Sequence, residues 1–381
     1  LTSHHSPIPM IFTLILFSLA SLYFAAGILL FSGTLRIRRG RNRNPLRASV
    51  VVAVRDGRDT IGDCLDALMA QSYPEERVEV IVVDDGSTDG TYDILKRYKE
   101  LHRNLKIMRV QEGFGEITGK QRALAQGIRL AQGEIVLHTD ADCAPPRRWI
   151  EEVLSCFEPE VGVVVGFALP GRSPGIFGPI RSADLLFLQT VAAGFAGWGR
   201  PLSGIGKNLA FRKAAYREVG GFERMGLQLN EDMALIQKIR QETQWRTVVM
   251  QGGDACVRMQ GTSSPRAFLR RRRRWLWAGF RSHPALFATL GFVFWTHVML
   301  LVSVLFLSHL PVVLVYYSYL VVACANFVLI AQGATMTRRY DLVLAFPMFQ
   351  VFFWIYTTLM GFGVLTPGGR KMEWRGRTYG G

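Results

Sequence analysis

The chain has 381 residues, 49% of them hydrophobic, and 45 Lys and Arg against 30 Asp and Glu give a formal net charge of +15. Three stretches, residues 10–35, 282–337 and 342–369, contain no charged side chain, which excludes a wholly soluble protein. The basic excess does not point to nucleic acid, because it gathers in 36–47, 266–281 and the carboxyl tail, beside those stretches, where anionic lipid headgroups are the expected partner.

A membrane helix needs ~20 apolar residues to cross ~30 Å of hydrocarbon, so the first stretch fits one span, the second two and the third one. The first exceeds the ~7 to 15 apolar residues of a signal-peptide core and is followed by arginines instead of a small-residue cleavage site, so it reads as an uncleaved anchor. Arg36, Arg38, Arg39, Arg41, Arg43 and Arg47 follow with no acid among them. By the positive-inside rule they place residue 48 onward in the cytoplasm and the amino terminus outside.

From residue 49 to 132, β-branched runs alternate with helical patterns. Strands are expected over 49–54, 78–83 and 105–110, and helices over 60–71, 90–101 and 120–131. Such alternation implies a largely parallel sheet covered on both faces, an α/β fold. Residues 87–89 offer capping side chains for the second helix. A further apolar run, 134–139, ends in Thr139. Beyond it the pattern loosens: helix over 147–157, strand over 161–167, and an apolar helix over 185–197 suited to lie against the membrane. A glycine-containing turn and short strand follow over 204–212, then a helix over 233–241 opened by Glu231 and Asp232. Acids in a first turn also complement the helix dipole, by ~0.3 to 1 kcal/mol.

Two acid pairs stand at strand ends, Asp84-Asp85 and Asp140-Ala141-Asp142, where open α/β sheets bind ligands. Adjacent carboxylates repel, and a divalent cation bridging them to a substrate diphosphate would neutralise both sets of charge. The competing chemistry, the aspartyl nucleophile of haloacid-dehalogenase phosphatases, expects Thr or Val where Ala144 stands. Gly119-Lys120 opens a helix, a phosphate-compatible start that lacks the spacing of a nucleoside-triphosphatase loop. Arg270 to Arg274 with Trp275 and Trp277 flank a span, as topology and interface anchoring require. Arginine and tryptophan there also suit a phosphate and a sugar. Cys64, Cys143, Cys156, Cys256 and Cys324 show no CxxC spacing, in keeping with reduced thiols and no zinc ribbon.

Taken in order, Val82 to Thr91, Gly119-Lys120, Thr139-Asp140-Ala141-Asp142, Glu231-Asp232 and Arg271 to Trp275 resemble the membrane-bound family 2 glycosyltransferases with the pattern D, DxD, D, (Q/R)xxRW. The resemblance implies a GT-A fold, a Rossmann-like mixed sheet with one amino-terminal and two or three carboxyl-terminal transmembrane helices. It assigns Asp84 or Asp85 to the uracil and ribose of a UDP-sugar, with Arg55 and Lys120 nearby. Asp140 and Asp142 would hold Mg2+ or Mn2+ and the diphosphate, and Asp232, within Glu231-Asp232, would be the base that deprotonates an acceptor hydroxyl. Arg274 would bind diphosphate, and Trp275 and Arg271 the acceptor. Two departures matter: Arg55-Asp56-Gly57 stands where the family often carries Arg-Asn-Glu, and Arg271 where processive polysaccharide synthases carry glutamine. The arginine form is similar to ceramide glucosyltransferases, as is the ending Trp374-Arg375-Gly376-Arg377 to some lipid-glycosylating members.

The expected enzyme is an inverting transferase with a lipid acceptor, in a bacterial inner membrane or its equivalent. A processive synthase making a glycan is the alternative; with only four spans it would call for an oligomer or partner subunit. A non-catalytic protein keeping the sugar-nucleotide fold is the third reading. The expected division is 1–47 anchor and basic linker, 48–264 cytoplasmic catalytic domain, 265–281 basic interfacial helix, 282–369 membrane region and 370–381 basic tail. Three carboxyl-terminal spans would export the tail's basic residues against the charge rule, so 342–365, interrupted by Pro347, is expected to be re-entrant or interfacial, with the tail cytoplasmic.

Overall fold

The computed structural model describes residues 8–379 apart from 113–116, 173–174, 203, 205, 229, 262–263, 283, 366–371 and 375–376, with backbone alone at 8, 274, 277–286 and beyond 362. The first apolar stretch forms α1 (Ile8–Thr34). The alternating region then lays down β1 (Ala48–Val54), α2 (Ile61–Met69), β2 (Val78–Asp84), α3 (Thr91–Leu101), β3 (Leu105–Arg109), α4 (Gly119–Leu130) and β4 (Ile135–His138). Strands β3, β2, β1 and β4 pair in parallel in that order.

Successive side chains of a strand point to opposite faces, and both faces are buried here. Val50, Val52, Val80 and Val82 pack with Ile61, Leu65 and Leu95 of α2 and α3. Val51, Ile81 and Val83 pack with Ala123, Leu124 and Ile128 of α4. That two-sided burial explains why these strands read as unbroken apolar runs. The N-cap of α3 is Gly90, without a side chain of its own, and Asp89 supplies the capping oxygen instead, accepting from the backbone N–H of Thr91 at 3.0 Å. Ser87 and Asp89 also accept from the backbone of Asp56 and Arg58, tying the two strand-end loops together.

The second half departs from the parallel plan. It contains β5 (Cys143–Ala144), α5 (Trp149–Ser155), β6 (Val161–Val165), β7 (Ala168–Pro170), α6 (Phe177–Gly197), β8 (Leu209–Arg212), α7 (Lys213–Glu218), α8 (Gly221–Met225), α9 (Glu231–Glu242), β9 (Arg246–Val249) and β10 (Val257–Met259). Strand β8 is antiparallel to both β4 and β6, giving the seven-stranded order β3-β2-β1-β4-β8-β6-β9. The sheet is therefore mixed, as the family resemblance implied, and not largely parallel: the excursion through α6 returns the chain from the opposite end. Strands β5, β10 and β7 form a small second sheet.

Helix α6 begins eight residues earlier than the pattern suggested and is packed against α1, with small residues at the crossing. A Cβ at Gly194 would lie 2.6 Å from the Leu30 carbonyl oxygen, and one at Gly197 would lie 1.9 Å from that of Gly33. Such contacts, unavailable to larger residues, let helix backbones approach closely. After α10 (Pro265–Ser282) come α11 (Pro284–Leu305), α12 (Val312–Thr337), α13 (Asp341–Leu344) and α14 (Phe346–Leu365), then a hairpin of β11 (Met372–Trp374) and β12 (Arg377–Tyr379). Among the described residues three helices are long and apolar enough to cross a membrane, over Pro9–Thr34, Phe287–Leu305 and Val312–Thr337, while Phe346–Phe362 is a shorter apolar helix. The 342–365 stretch is interrupted as expected, at Ala345 between α13 and α14, just before Pro347. That proline stands in the first turn of α14, where its missing N–H costs nothing.

Candidate active site

Four segments that are remote in sequence meet at the carboxyl ends of the central strands. Strand β4 delivers Asp140 and Asp142, the first turn of α4 delivers Lys120, the turn at Gly206–Asn208 delivers Lys207, and the first turn of α9 delivers Glu231 and Asp232. Thr139 Oγ1 donates to the Lys207 carbonyl at 2.8 Å, fastening the turn to the strand end. Asn208 anchors the other side: it accepts from Trp149 Nε1 and donates to the carbonyls of Phe167 and Ala255, each at 2.8 Å.

The charges alternate. Lys120 Nζ lies 2.9 Å from both Asp140 Oδ1 and Glu231 Oε1. Lys207 Nζ lies 2.9 Å from Asp140 Oδ2 and is also paired with Asp142 Oδ1. Burial pulls the Lys120 ammonium down, but Asp140 and Glu231 outweigh it and hold the group well above its usual range. Burial likewise pushes Asp140 up, and the two lysines overcome it, keeping the carboxyl well below the usual carboxylate range. Glu231 is also depressed, with Lys120 outweighing burial.

Asp232 behaves in the opposite way. Burial raises its carboxyl to about 7, Glu231 and Asp140 add to the rise, and Lys120 opposes it. Its Oδ1 is buried without a hydrogen-bond partner, and among the described residues no ammonium is paired with it. Room for the carboxylate comes from Gly206, where a Cβ would sit 1.7 Å from Asp232 Oδ2. One carboxyl is thus raised toward neutrality among carboxylates held ionised, the condition under which a side chain can take up a proton near pH 7. Beside them His138 is driven down to about 4 by burial, so it is neutral at pH 7, with Nδ1 3.0 Å from the Val51 carbonyl.

The second acid pair forms a separate cluster at the ends of β1 and β2. Asp85 lies 3.3 Å from Arg122 and 3.8 Å from Arg55. Asp84 is fully buried, accepts from the Ser87 backbone at 3.2 Å and lies 3.6 Å from Arg109. Lys120 therefore reaches Asp140 and Glu231 instead of the Asp84-Asp85 pair, and Arg122, one half-turn later on α4, takes that place. Arg122 and Lys207 were not singled out in sequence. The signal for Lys207 was its position directly after Gly206 in the glycine turn.

A cavity of about 700 Å³ opens from this cluster. Lys120, Asp140, Lys207, Glu231 and Asp232 line it together with Arg271 and Trp275 of α10, and Arg271 stands near enough to Asp142 and Asp140 to feel both carboxylates. The other walls of the cavity are side chains of α1, α6, α11 and α14, including Leu30, Phe187, Phe292 and Phe353. The side chain of Arg274 lies outside the described residues.

Among the described residues no group of three or more His, Cys, Asp or Glu side chains forms a closed metal cage. Asp140 and Asp142 nevertheless both grasp one cation, the Lys207 ammonium. Two carboxylates with the remaining positions left to substrate phosphates and water are the usual provision for a Mg2+-like ion, so the donor set fits a divalent cation.

The model for glycosyl transferase family 2 matches residues 49–220, and that for glycosyl transferase family group 2 matches residues 135–363. A beta-monoglucosyldiacylglycerol synthase from Synechocystis is 27% identical over 61% of this chain and 48% of its own length. A poly-beta-1,6-N-acetyl-D-glucosamine synthase from Staphylococcus aureus is 28% identical over 58% of this chain and 53% of its own. The chain thus spans about half the length of these curated relatives. A mannosyltransferase from Pyrobaculum calidifontis, solved with GDP-mannose and Mn2+, superposes with a TM-score of 0.56 at 21% identity, covering 91% of this chain and 99% of that one. That likeness identifies the fold as GT-A.

Proposed function

The chain belongs to glycosyl transferase family group 2, and we propose that it is an inverting, metal-dependent enzyme moving a sugar from a UDP-sugar to a lipid acceptor at the cytoplasmic face of a membrane. The observation that carries this reading is the continuity of the cavity: the carboxylate and lysine cluster at one end opens into an apolar chamber between helices that include two candidate spans. A lipid entering from the bilayer would keep its tail among α1, α11 and α14 while its hydroxyl approached Asp232.

Asp232 would accept the hydroxyl proton as the oxygen attacks the anomeric carbon and the bond to the diphosphate breaks. One base and one departing group suit a single displacement, which inverts the anomeric centre. Lys120 and Lys207 keep Asp140 ionised and would offset part of the negative charge that the departing diphosphate meets. Asp140 and Asp142 would hold Mg2+ or Mn2+, which supplies charge neutralisation of that diphosphate when bound. The Asp85 cluster, with Arg55 and Arg122, would meet the nucleoside, Arg274 the diphosphate, and Arg271 and Trp275 the acceptor.

The synthase from Staphylococcus favours a second reading, in which the acceptor is a growing glycan. Incubating the purified chain with radiolabelled UDP-sugars and total membrane lipid separates the two. An organic-soluble labelled product is expected; a high-mass polymer would establish the second reading in its place.

A further inference from the structure

In the wall of the same cavity α6 presents Asp184 and α10 presents Arg272, which are 0% and 4% exposed. Asp184 Oδ2 and Arg272 Nη2 are ion-paired. The Tyr356 hydroxyl stands beside the guanidinium as a further partner, yet the pair is not saturated: Asp184 Oδ1 and Arg272 Nη1 are both buried without a hydrogen bond of their own. The guanidinium is also held in place, with its Cζ 4.9 Å over the Trp275 ring and 5.4 Å over the Phe268 ring. A fixed, desolvated acceptor and donor left open side by side form a ready site for a polar ligand, because leaving such atoms unmet is costly.

We propose that Asp184 and Arg272 bind the polar head of the acceptor lipid through a hydroxyl group, and that they select an uncharged lipid alcohol over a lipid phosphate. This rests on the lipid-acceptor reading above. A hydroxyl both donates, here to Asp184 Oδ1, and accepts, here from Arg272 Nη1. A phosphate has no proton to spare for the carboxylate and would meet a pair whose net charge is zero, so its own desolvation would go uncompensated. Arg272 occupies one of the positions that the (Q/R)xxRW pattern leaves free, and Asp184 lies outside every motif read from the sequence. The two are positioning residues, distinct from the base.

The test is binding, read by quenching of tryptophan fluorescence in the full-length chain in detergent, with Trp275 and Trp295 in the cavity wall as reporters. The probes are dodecylglycerol, its dimethyl ether and dodecyl phosphate. In the unmodified chain dodecylglycerol should bind about tenfold more tightly than the ether, the cost of leaving a buried pair unmet, and more tightly than the phosphate. Asp184→Leu with Arg272→Met, an exchange buried ion pairs often tolerate, should bring alcohol and ether within about twofold of each other. Asp184→Asn with Arg272→Gln keeps a donor and an acceptor without charge, and should retain a preference of at least about threefold. That second variant decides the matter if the apolar one does not fold. Equal binding of alcohol and ether to the unmodified chain, tighter binding of dodecyl phosphate, or a preference that survives the apolar exchange would overturn the proposal. The ranking of probes without any sugar transfer to lipid supports the site and overturns the transferase reading; transfer without the ranking does the reverse.

Discussion

Replacing Asp232 by asparagine removes the proposed base with almost no change in shape. The pocket is built for a planar group of this size, since Gly206 clears the space a Cβ would take at 1.7 Å from Oδ2. Loss of positioned base catalysis lowers a rate by ~10²- to 10⁴-fold, so kcat for transfer should fall by that factor. Nucleotide-sugar affinity should stay within about threefold, since Asp232 makes no ion pair among the described residues and the Coulomb change is confined to one site. The folded protein also gives an independent readout. Because its carboxyl is raised to about 7 in the folded state from an ordinary value near ~3.9, Asp232 contributes stability that is fully present below the unfolded value. That contribution is lost as pH rises through 7. The displacement corresponds to at most ~4 kcal/mol. The asparagine variant should therefore gain in melting temperature against the parent at pH 8, with the advantage shrinking to about a third at pH 5. Single-turnover transfer assays and thermal melts in detergent provide both measurements. Turnover within tenfold of the parent, with no pH-dependent difference in melting, would refute the assignment of Asp232 as a buried base.

Four further outcomes follow from the same geometry. The acidic limb of kcat/KM should fall with an apparent pKa of about 7 as pH drops, and Lys120→Met should move that limb upward, because Lys120 holds the Asp232 carboxyl down; an unchanged pH–rate profile contradicts the pairing. Gly206→Ala should displace the Asp232 carboxylate and cost ~10²-fold in kcat, as small misplacements of catalytic groups do, which steady-state kinetics would detect. Chelation with EDTA should abolish transfer, with Mn2+ or Mg2+ restoring it, and Asp142→Asn should raise the metal concentration needed. Asn208→Ala strips partners from Trp149 and two buried carbonyls and should lower stability by roughly 2 to 4 kcal/mol, measurable as a drop in melting temperature with activity lost in parallel.

The sequence by itself determined the local elements and the chemistry at their ends. Charge-free runs of membrane length became α1, α11 and α12, because hydrocarbon admits only segments that satisfy their own backbone and carry few charges. The valine-rich runs became β1 and β2 with acids at their ends, since two-sided burial leaves a continuous apolar signature. The family resemblance, drawn from ordered motifs, supplied the mixed sheet that periodicity had read as largely parallel. The direction of β8 could not be read locally: a strand's period is two whichever way it runs, and only the return path of α6 sets its sense.

The tertiary structure alone decided the partnerships. Lys207 joins Asp140 across 67 positions, counting from 140 to 207, and Arg272 joins Asp184 across 88. No propensity or spacing encodes such pairs, because they depend on where whole elements pack. The same holds for which of two adjacent carboxyls is raised. By local pattern alone Glu231 and Asp232, neighbours in a helix's first turn, look interchangeable, and the choice of Asp232 as base came from the resemblance; in the fold one faces Lys120 and is held down while the other is buried against Gly206 and rises to about 7. Desolvation and Coulomb fields are properties of the folded surroundings, and there the two residues part.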